Sequence, residues 1–329
     1  MDVATVVSLI ESNYMLNKVR IVESPQGASN ITRYVRAENQ QYVLRIYSQK
    51  QIEKVIGEHA VISKLRERKF VYETPDFLTT KTGKTYVQSN GLLLALYPYI
   101  PGEPFKREQI HEFGKALGYS LSFFKSIPPE ELTQSNDNLY KAFLQSKIVD
   151  QNTLYNRLIQ TPFHFSKEDA KVLTDEMERQ SGLVVRYSQL PHQLIHGDLI
   201  RLNVLFHPTK QDVTGILDFE LAAVSIKALE IATSLTSLLR MNDLDDEDMF
   251  SRVDEFISGF KQYEIINPTE IELLPQLIML RLASVSLFHI NRFAADQKSD
   301  FIVRYYSFYL AWQKWLTVNG DRLQHICKK

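Results

Sequence analysis

A change of texture at Pro101-Gly102 is the feature that most restricts how this chain can fold. Upstream of it, short runs rich in β-branched and aromatic residues fall at 19–22, 31–36, 41–47, 85–88 and 92–97. A single helical stripe interrupts them over 51–69, carried by Ile52, Val55, Ile56, Ile62 and Leu65. Downstream the spacing of apolar residues becomes helical, and Ile110, Phe113, Leu117, Leu121 and Phe124 share one face. Ser166-Lys-Glu-Asp169 resembles a capping box opening another helix. Long helices are expected over 245–263, 270–295 and 302–318. The pattern implies an α+β chain: an antiparallel sheet with one main helix in residues 1–101, and a mostly helical unit in 102–329.

Within the helical part, one stretch concentrates chemistry-bearing residues. It reads Gln193-Leu-Ile-His196-Gly197-Asp198-Leu-Ile-Arg-Leu-Asn203-Val-Leu-Phe206, followed by Thr214-Gly-Ile-Leu-Asp218-Phe219-Glu220. The apolar triplets 204–206 and 215–217 suit two short buried strands around a tight turn at His207-Pro208. Such a hairpin would bring Asn203 and Asp218 together at its open end. A carboxylate and an amide oxygen are the hard donors that Mg²⁺ on nucleotide phosphates requires. Asp198 is placed to orient a hydroxyl and accept its proton, so the ordered set suits phosphoryl transfer. Gly197 permits a backbone shape closed to other residues, and His196 is expected to buttress the loop through hydrogen bonds. Each fragment alone is an ordinary turn; the order and spacing of the three give the set its meaning.

Composition restricts the partners. The chain has 329 residues, 44% hydrophobic, enough for two cores, and a formal net charge of −1 that offers no polybasic signature for nucleic acid or anionic membrane. Cys327 is the sole cysteine, which excludes an internal disulfide and cysteine-zinc sites. The N-terminus lacks the basic start of a secretory signal, and no apolar run is expected to reach membrane-spanning length, so a cytoplasmic location is expected.

On these residues the chain resembles the aminoglycoside phosphotransferase, choline kinase and homoserine kinase-like family of small-molecule kinases. The loop pattern of His-Gly-Asp with Asn five residues after the Asp is matched by His196, Gly197, Asp198 and Asn203, and the metal-binding Asp of an Asp-Phe/Trp-Glu triplet by Asp218-Phe219-Glu220. The run from Leu280-Arg281 to Arg292 is more loosely similar to a helix of the homoserine kinase-like branch. The resemblance implies a two-lobed protein-kinase-like fold, ATP and Mg²⁺ as cofactors, and a small-molecule hydroxyl acceptor. It implies Asp198 as base and Asn203 and Asp218 as metal ligands. From Phe219 the chain enters an apolar helical pattern by about Ile226, leaving no room for a long activation segment, which favours a small acceptor over a polypeptide.

The remaining candidates each carry two readings. The loop of residues 24–30, with Gly27 and Ser29, either covers phosphates with its backbone N–H groups or is an ordinary hairpin turn. Arg45 stands where kinases place a phosphate-contacting Lys and can pair with Glu58, or else faces outward from its strand. The segment 94–100, with Tyr97, Tyr99 and Ile100, would form the hinge that meets adenine. On the acceptor side Glu220 either orients metal-bound water or a cation, or caps a helix. His289 and Arg292 either meet a polar metabolite or pack and solvate a helix. The acidic run 243–248 either recognises the amines of an antibiotic or complements a helix dipole. Two departures from the family pattern stand out: Arg45 itself, and Glu230 in place of an Asp that anchors the catalytic loop, with the preceding Gly-Asp-Pro missing. An amino alcohol, amino acid or sugar-like metabolite is the favoured acceptor; an antibiotic kinase and a catalytically silent nucleotide-binding module are the alternatives.

Overall fold

The computed structural model describes residues 2–22, 31–132, 151–160, 163–239, 246–296 and 299–329. Gly27 and Ser29 lie outside the described residues, as does the side chain of Arg292. The first part is a five-stranded antiparallel sheet in the order β1-β2-β3-β5-β4, with β1 Arg20–Val22, β2 Ile31–Ala37, β3 Gln40–Ser48, β4 Val87–Ser89 and β5 Leu92–Pro98. Strand alternation sends its side chains to two separate clusters. Val35, Ala37, Tyr42, Leu44, Leu94 and Leu96 pack with Val6, Ile10 and Tyr14 of helix α1 Val3–Asn13. Tyr47, Leu93, Ala95 and Tyr97 pack on the opposite face with Val55 of helix α2 Ile52–Glu67. The sequence reading contained α2 but not α1, whose β-branched run is fixed as helix by Asp2 accepting the Thr5 N–H at 2.8 Å and by burial of Val6 and Ile10 one turn apart.

Helix α2 belongs to two cores. Its first half covers the sheet, while Val61, Ile62 and Leu65 join the large cluster built by the helices that follow. Those are α3 Ile110–Phe124, α4 Gln151–Ile159, α5 Lys167–Ser188, α6 Lys227–Leu238, α7 Asp246–Phe260, α8 Pro268–Asp296 and α9 Ser299–Lys328. Ser166 caps α5 as its sequence suggested, accepting the Asp169 N–H at 3.0 Å. Helices α3 and α7 approach so closely that a Cβ on Gly114 would lie 2.0 Å from the Phe256 carbonyl oxygen, and one on Gly259 2.0 Å from that of His111.

Helix α8 corrects one expectation. Residues Pro268–Ile290 are long and apolar enough to cross a membrane by length and composition, with mean hydropathy 1.6, and 78% of that window is buried inside the protein. Burial of most of its surface, against α6, α5 and α9, accounts for its apolar character.

Two small sheets shape the centre. Strand β6 His192–Ile195 pairs antiparallel with β9 Ala223–Ile226, and β7 Val204–Phe206 with β8 Val213–Ile216. The expected tight turn at His207-Pro208 is instead a loop of residues 207–212, closed by the His207 N–H donating to the Asp212 carbonyl at 2.9 Å. The helical pattern expected by Ile226 begins at Lys227, because 223–226 serves as a partner strand for β6, which leads into the loop at His196. Glu73 exchanges backbone hydrogen bonds with Thr214 and Ile216, and Glu103 with Phe206, so the hairpin is braced on both edges.

Candidate active site

Strand β6 delivers the chain into the loop at His196. Gly197 has φ +81°, and a Cβ there would lie 2.3 Å from the Leu221 carbonyl oxygen, so both conformation and space demand glycine. His196 is fully buried: its Nε2 donates to the Leu217 carbonyl at 2.9 Å and its Nδ1 accepts the Asp198 N–H at 3.2 Å. Burial pushes its imidazole down to about 4, so it is a neutral strut between the loop and the residue before Asp218.

Helix α6 holds the loop from behind. Glu230 accepts the N–H of Gly197 at 2.6 Å and of Leu199 at 2.9 Å. Ser234 Oγ donates to the Leu199 carbonyl at 2.7 Å, and Ser237 Oγ accepts the Arg201 N–H at 3.1 Å. These residues recur at i, i+4 and i+7 and so share one face of the helix, a periodicity that could have been read from the sequence. Glu230 therefore anchors the loop despite its extra methylene. Burial pushes its carboxyl up to about 7, against the pull of the two backbone donors.

The three residues of the motif converge. Asn203 donates from Nδ2 to the Asp198 carbonyl at 2.9 Å and to Asp198 Oδ2 at 3.3 Å. The Leu217 N–H donates to the Asn203 carbonyl at 2.8 Å, which sets Asp218 beside Asn203 at the open end of the β7–β8 hairpin. Asp218 sits in the left-handed region at φ 69°, ψ 61°, a strained conformation for a non-glycine residue and characteristic of functional positions. Since Nδ2 of Asn203 is committed to Asp198, its amide oxygen is the side left for a cation, and with the Asp218 carboxylate it forms a hard-oxygen pair suited to Mg²⁺. Among the described residues no group of three or more His, Cys, Asp or Glu side chains forms a metal cluster.

Arg45 faces inward. Its Nη1 donates to Glu58 Oε1 at 3.1 Å and its Nη2 to Asp218 Oδ1 at 2.8 Å, so one guanidinium joins β3, α2 and the metal-ligand candidate. Burial pushes the Glu58 carboxyl up to about 7, opposed chiefly by Arg45. Lys54 of α2 lies 3.3 Å from Glu220, so Glu220 forms a second ion pair between the sheet-bearing part and the site.

Asp198 has a partner that the sequence reading did not assign. Arg281 of α8 donates from Nη2 to Asp198 Oδ1 at 2.5 Å. Burial raises the Asp198 carboxyl to about 6, with Arg281 pulling it down and the charges of Asp218 and Glu220 pushing it up. Tyr305 of α9, raised by burial, feels the charges of both Arg281 and Asp198, and its ring lies 5.0 Å from that of His289.

The hinge candidates divide. Tyr97 is 2% exposed and its hydroxyl bonds Tyr47 at 3.2 Å and His59 at 2.9 Å, so its ring belongs to the sheet core and does not enclose a base. The Tyr99 N–H is taken by the Gln41 carbonyl at 3.0 Å, and its exposed ring meets Tyr34 edge-on. Ile100 packs beside Gly215 of β8. In the acidic run, Asp246 accepts from Trp315 Nε1, Glu247 pairs with Arg322, and Asp248 with Arg107 and Arg252; residues 243–245 lie outside the described residues.

A sequence profile described as the phosphotransferase enzyme family matches residues 20–264. The chain belongs to this family. It is, accordingly, a small-molecule kinase, an enzyme that moves a phosphoryl group to a hydroxyl. No curated protein matches its sequence. Among solved structures, a microcompartment-associated aminopropanol kinase matches with TM-score 0.75 at 14% identity, over 97% of this chain and 99% of that one. Amicoumacin kinase hAmiN, in complex with AMP-PNP, Ca²⁺ and Ami, matches with TM-score 0.69 at 15% identity, over 94% of this chain and 93% of that one. A Plasmodium vivax ethanolamine kinase matches with TM-score 0.62 at 15% identity, over 95% and 84%. Such likenesses show the fold, a two-lobed protein-kinase-like one, as the family's motifs implied.

Proposed function

We propose that the protein transfers the γ-phosphoryl group of ATP to a hydroxyl of a small metabolite such as an amino alcohol, amino acid or sugar-like molecule, with Asp198 as general base. The observation that carries this reading is the convergence of Asp198, Asn203 and Asp218, with Arg45 bridging from the sheet to the same point. Asn203 and Asp218 would hold Mg²⁺, which when bound neutralises charge on the phosphates. Arg45 would be released from Asp218 to meet phosphate oxygens while keeping Glu58. Asp198 orients the acceptor hydroxyl and takes its proton as the oxygen bonds to the γ-phosphorus and the bond to the β-phosphate oxygen breaks, releasing ADP.

Two observations favour a metabolite kinase over the alternatives. The carboxylates of Asp246, Glu247 and Asp248 already pair with Trp315, Arg322, Arg107 and Arg252, so this part of the acidic run is less available to the amines of an antibiotic. Glu230 holds the catalytic loop through two backbone bonds, so this departure does not dismantle the site as a silent module would require. The test is turnover of a panel of amino alcohols, hydroxy amino acids and sugars, with Asp198→Asn as control. We expect kcat to fall by about 10²–10⁴-fold in the variant while nucleotide binding persists. Because burial sets the Asp198 carboxyl near 6, wild-type kcat/KM should rise with pH through about 6 and level above it. A pH-independent rate, or an unaffected Asp198→Asn enzyme, would remove Asp198 from the role of base.

A further inference from the structure

Helix α8 contains one residue at odds with its surroundings. Between Leu273 and Ile290, Arg281 is the only Lys, Arg, Asp or Glu, and it is 6% exposed amid the fully buried Leu277, Ile278, Leu280 and Ala283. Burying a guanidinium in an apolar helix is costly unless it is paired. Its pairing is with Asp198, which lies 83 positions away and keeps 22% of its side chain exposed. The two Asp198 oxygens are thus held from two directions: Oδ1 by Arg281 at 2.5 Å and Oδ2 by Asn203 Nδ2 at 3.3 Å. A carboxylate gripped at one oxygen can still rotate about its terminal bond, whereas one gripped at both is fixed in plane. Helix α8 is itself locked by packing against α6 and α9, so the Arg281 contact is the stiffer of the two.

We propose that Arg281 is a positioning residue for phosphoryl transfer, acting through Asp198 by fixing the direction in which the carboxylate meets the acceptor hydroxyl. The inference rests on the reading of Asp198 as base. Its signature is therefore a loss in kcat rather than in binding. Near-attack geometry is steep, and a displacement of about 1 Å can cost on the order of 10²-fold in rate. Asp198 keeps its Asn203 bond when Arg281 is removed, so the loss should be smaller than that of Asp198→Asn.

The experiment compares Arg281→Met, which keeps an unbranched apolar stem and removes the charge and its donors, with Arg281→Lys, which keeps a cationic donor at the same helix position. We expect Arg281→Met to lower kcat by about 30- to 100-fold with both KM values within about threefold of wild type, and Arg281→Lys to keep at least about a tenth of wild-type kcat. A folded Arg281→Met enzyme with kcat within threefold of wild type would overturn the proposal. So would a rise in acceptor KM at unchanged kcat, which would make Arg281 an acceptor-binding group. If neither variant folds, as read by cooperative thermal unfolding, the role is structural and the proposal fails. A second readout needs no acceptor: in crystals of Arg281→Met with a non-hydrolysable ATP analogue, the Asp198 carboxylate should turn away from its wild-type direction, and an unchanged direction would count against the proposal. Absence of turnover by the wild-type protein on the whole panel would sink the proposed function and leave this crystallographic comparison to decide the role of Arg281.

Discussion

At the scale of single residues, Glu230 shows how a departure from a family pattern can preserve the physics behind it. Two backbone N–H groups at a glycine turn must be satisfied out of contact with water, and the longer side chain of Glu reaches both. Replacing it with Ala strands both donors, and we expect a loss of about 2–5 kcal/mol in urea unfolding, with catalysis falling as the loop shifts. Glu230→Asp, a methylene shorter on a helix that cannot move, should lose at least one of the bonds and fall between wild type and Glu230→Ala. The pH dependence has a definite sign. The Glu230 carboxyl is raised by burial to about 7, above its unfolded value, so its contribution to stability is complete at acid pH and is lost as pH rises through about 7. Glu230→Gln does not titrate, so its stability relative to wild type should improve from pH 5 to pH 8. An unchanged or worsening difference across that range would contradict the assignment. The motif residues Asp198, Asn203 and Asp218 were legible in the sequence because they lie within twenty-one positions and flank recognisable strands. Arg281 was not, because its partner is 83 positions away and the motif carries no mark of it.

At the scale of elements, what was legible follows from periodicity. Helix α3 carries a strong helical repeat, α2 an apolar stripe and α8 a long apolar run, and these helices and the strands β2, β3 and β5 lie within a few residues of the bounds that the sequence implies. Helix α1 was missed because its run of Val and Thr is neutral between helix and strand, and only contact with the sheet selects one. Strand β9 was missed because its four residues have no pattern of their own and exist as a partner for β6. The placement of Arg45 was left open by alternation and is settled by register: Arg45 opposes Ala95, on the face shared with Tyr47 and Tyr97. The same register makes a prediction. The guanidinium uses two nitrogens for two carboxylates on different elements, which the single ammonium of Lys does less well. Arg45→Ala leaves Glu58 buried without its cation, and we expect a loss of roughly 3 kcal/mol at pH 8. The loss should shrink at pH 6, where Glu58, already raised to about 7, takes a proton and no longer needs the cation. Arg45→Lys should lie between wild type and Arg45→Ala in a thermal unfolding series. Equal losses at both pH values would mean that the Arg45–Glu58 pair contributes little.

At the scale of the whole molecule, the texture change at Pro101-Gly102 suggests two units, and residues upstream of it also enter the core of the downstream helices. Val61, Ile62 and Leu65, on the second half of α2, are packed into the cluster formed by α3 and the later helices, and Phe70, Tyr72 and Phe77 lie against the same cluster. The first half of α2 covers the sheet and holds Glu58 against Arg45, so a single rigid helix spans both cores and fixes the ion pairs Arg45–Asp218 and Lys54–Glu220 between them. The sequence shows an apolar stripe on α2; it does not show that the two halves face different partners, an arrangement that also buries Glu58 and His59. If this sharing governs cooperativity, the sheet cannot keep its helix when the helical part melts. Calorimetry of the full chain should then show one transition rather than two. Leu65→Ala, which removes a fully buried side chain on the shared half, should cost about 2–5 kcal/mol and lower that transition without splitting it. A Leu65→Ala trace that resolves into two transitions, with the sheet-bearing part melting at its wild-type temperature, would show that α2 does not couple the two cores. The arrangement of residues 45, 58 and 218 would then have to be held by the ion pairs alone.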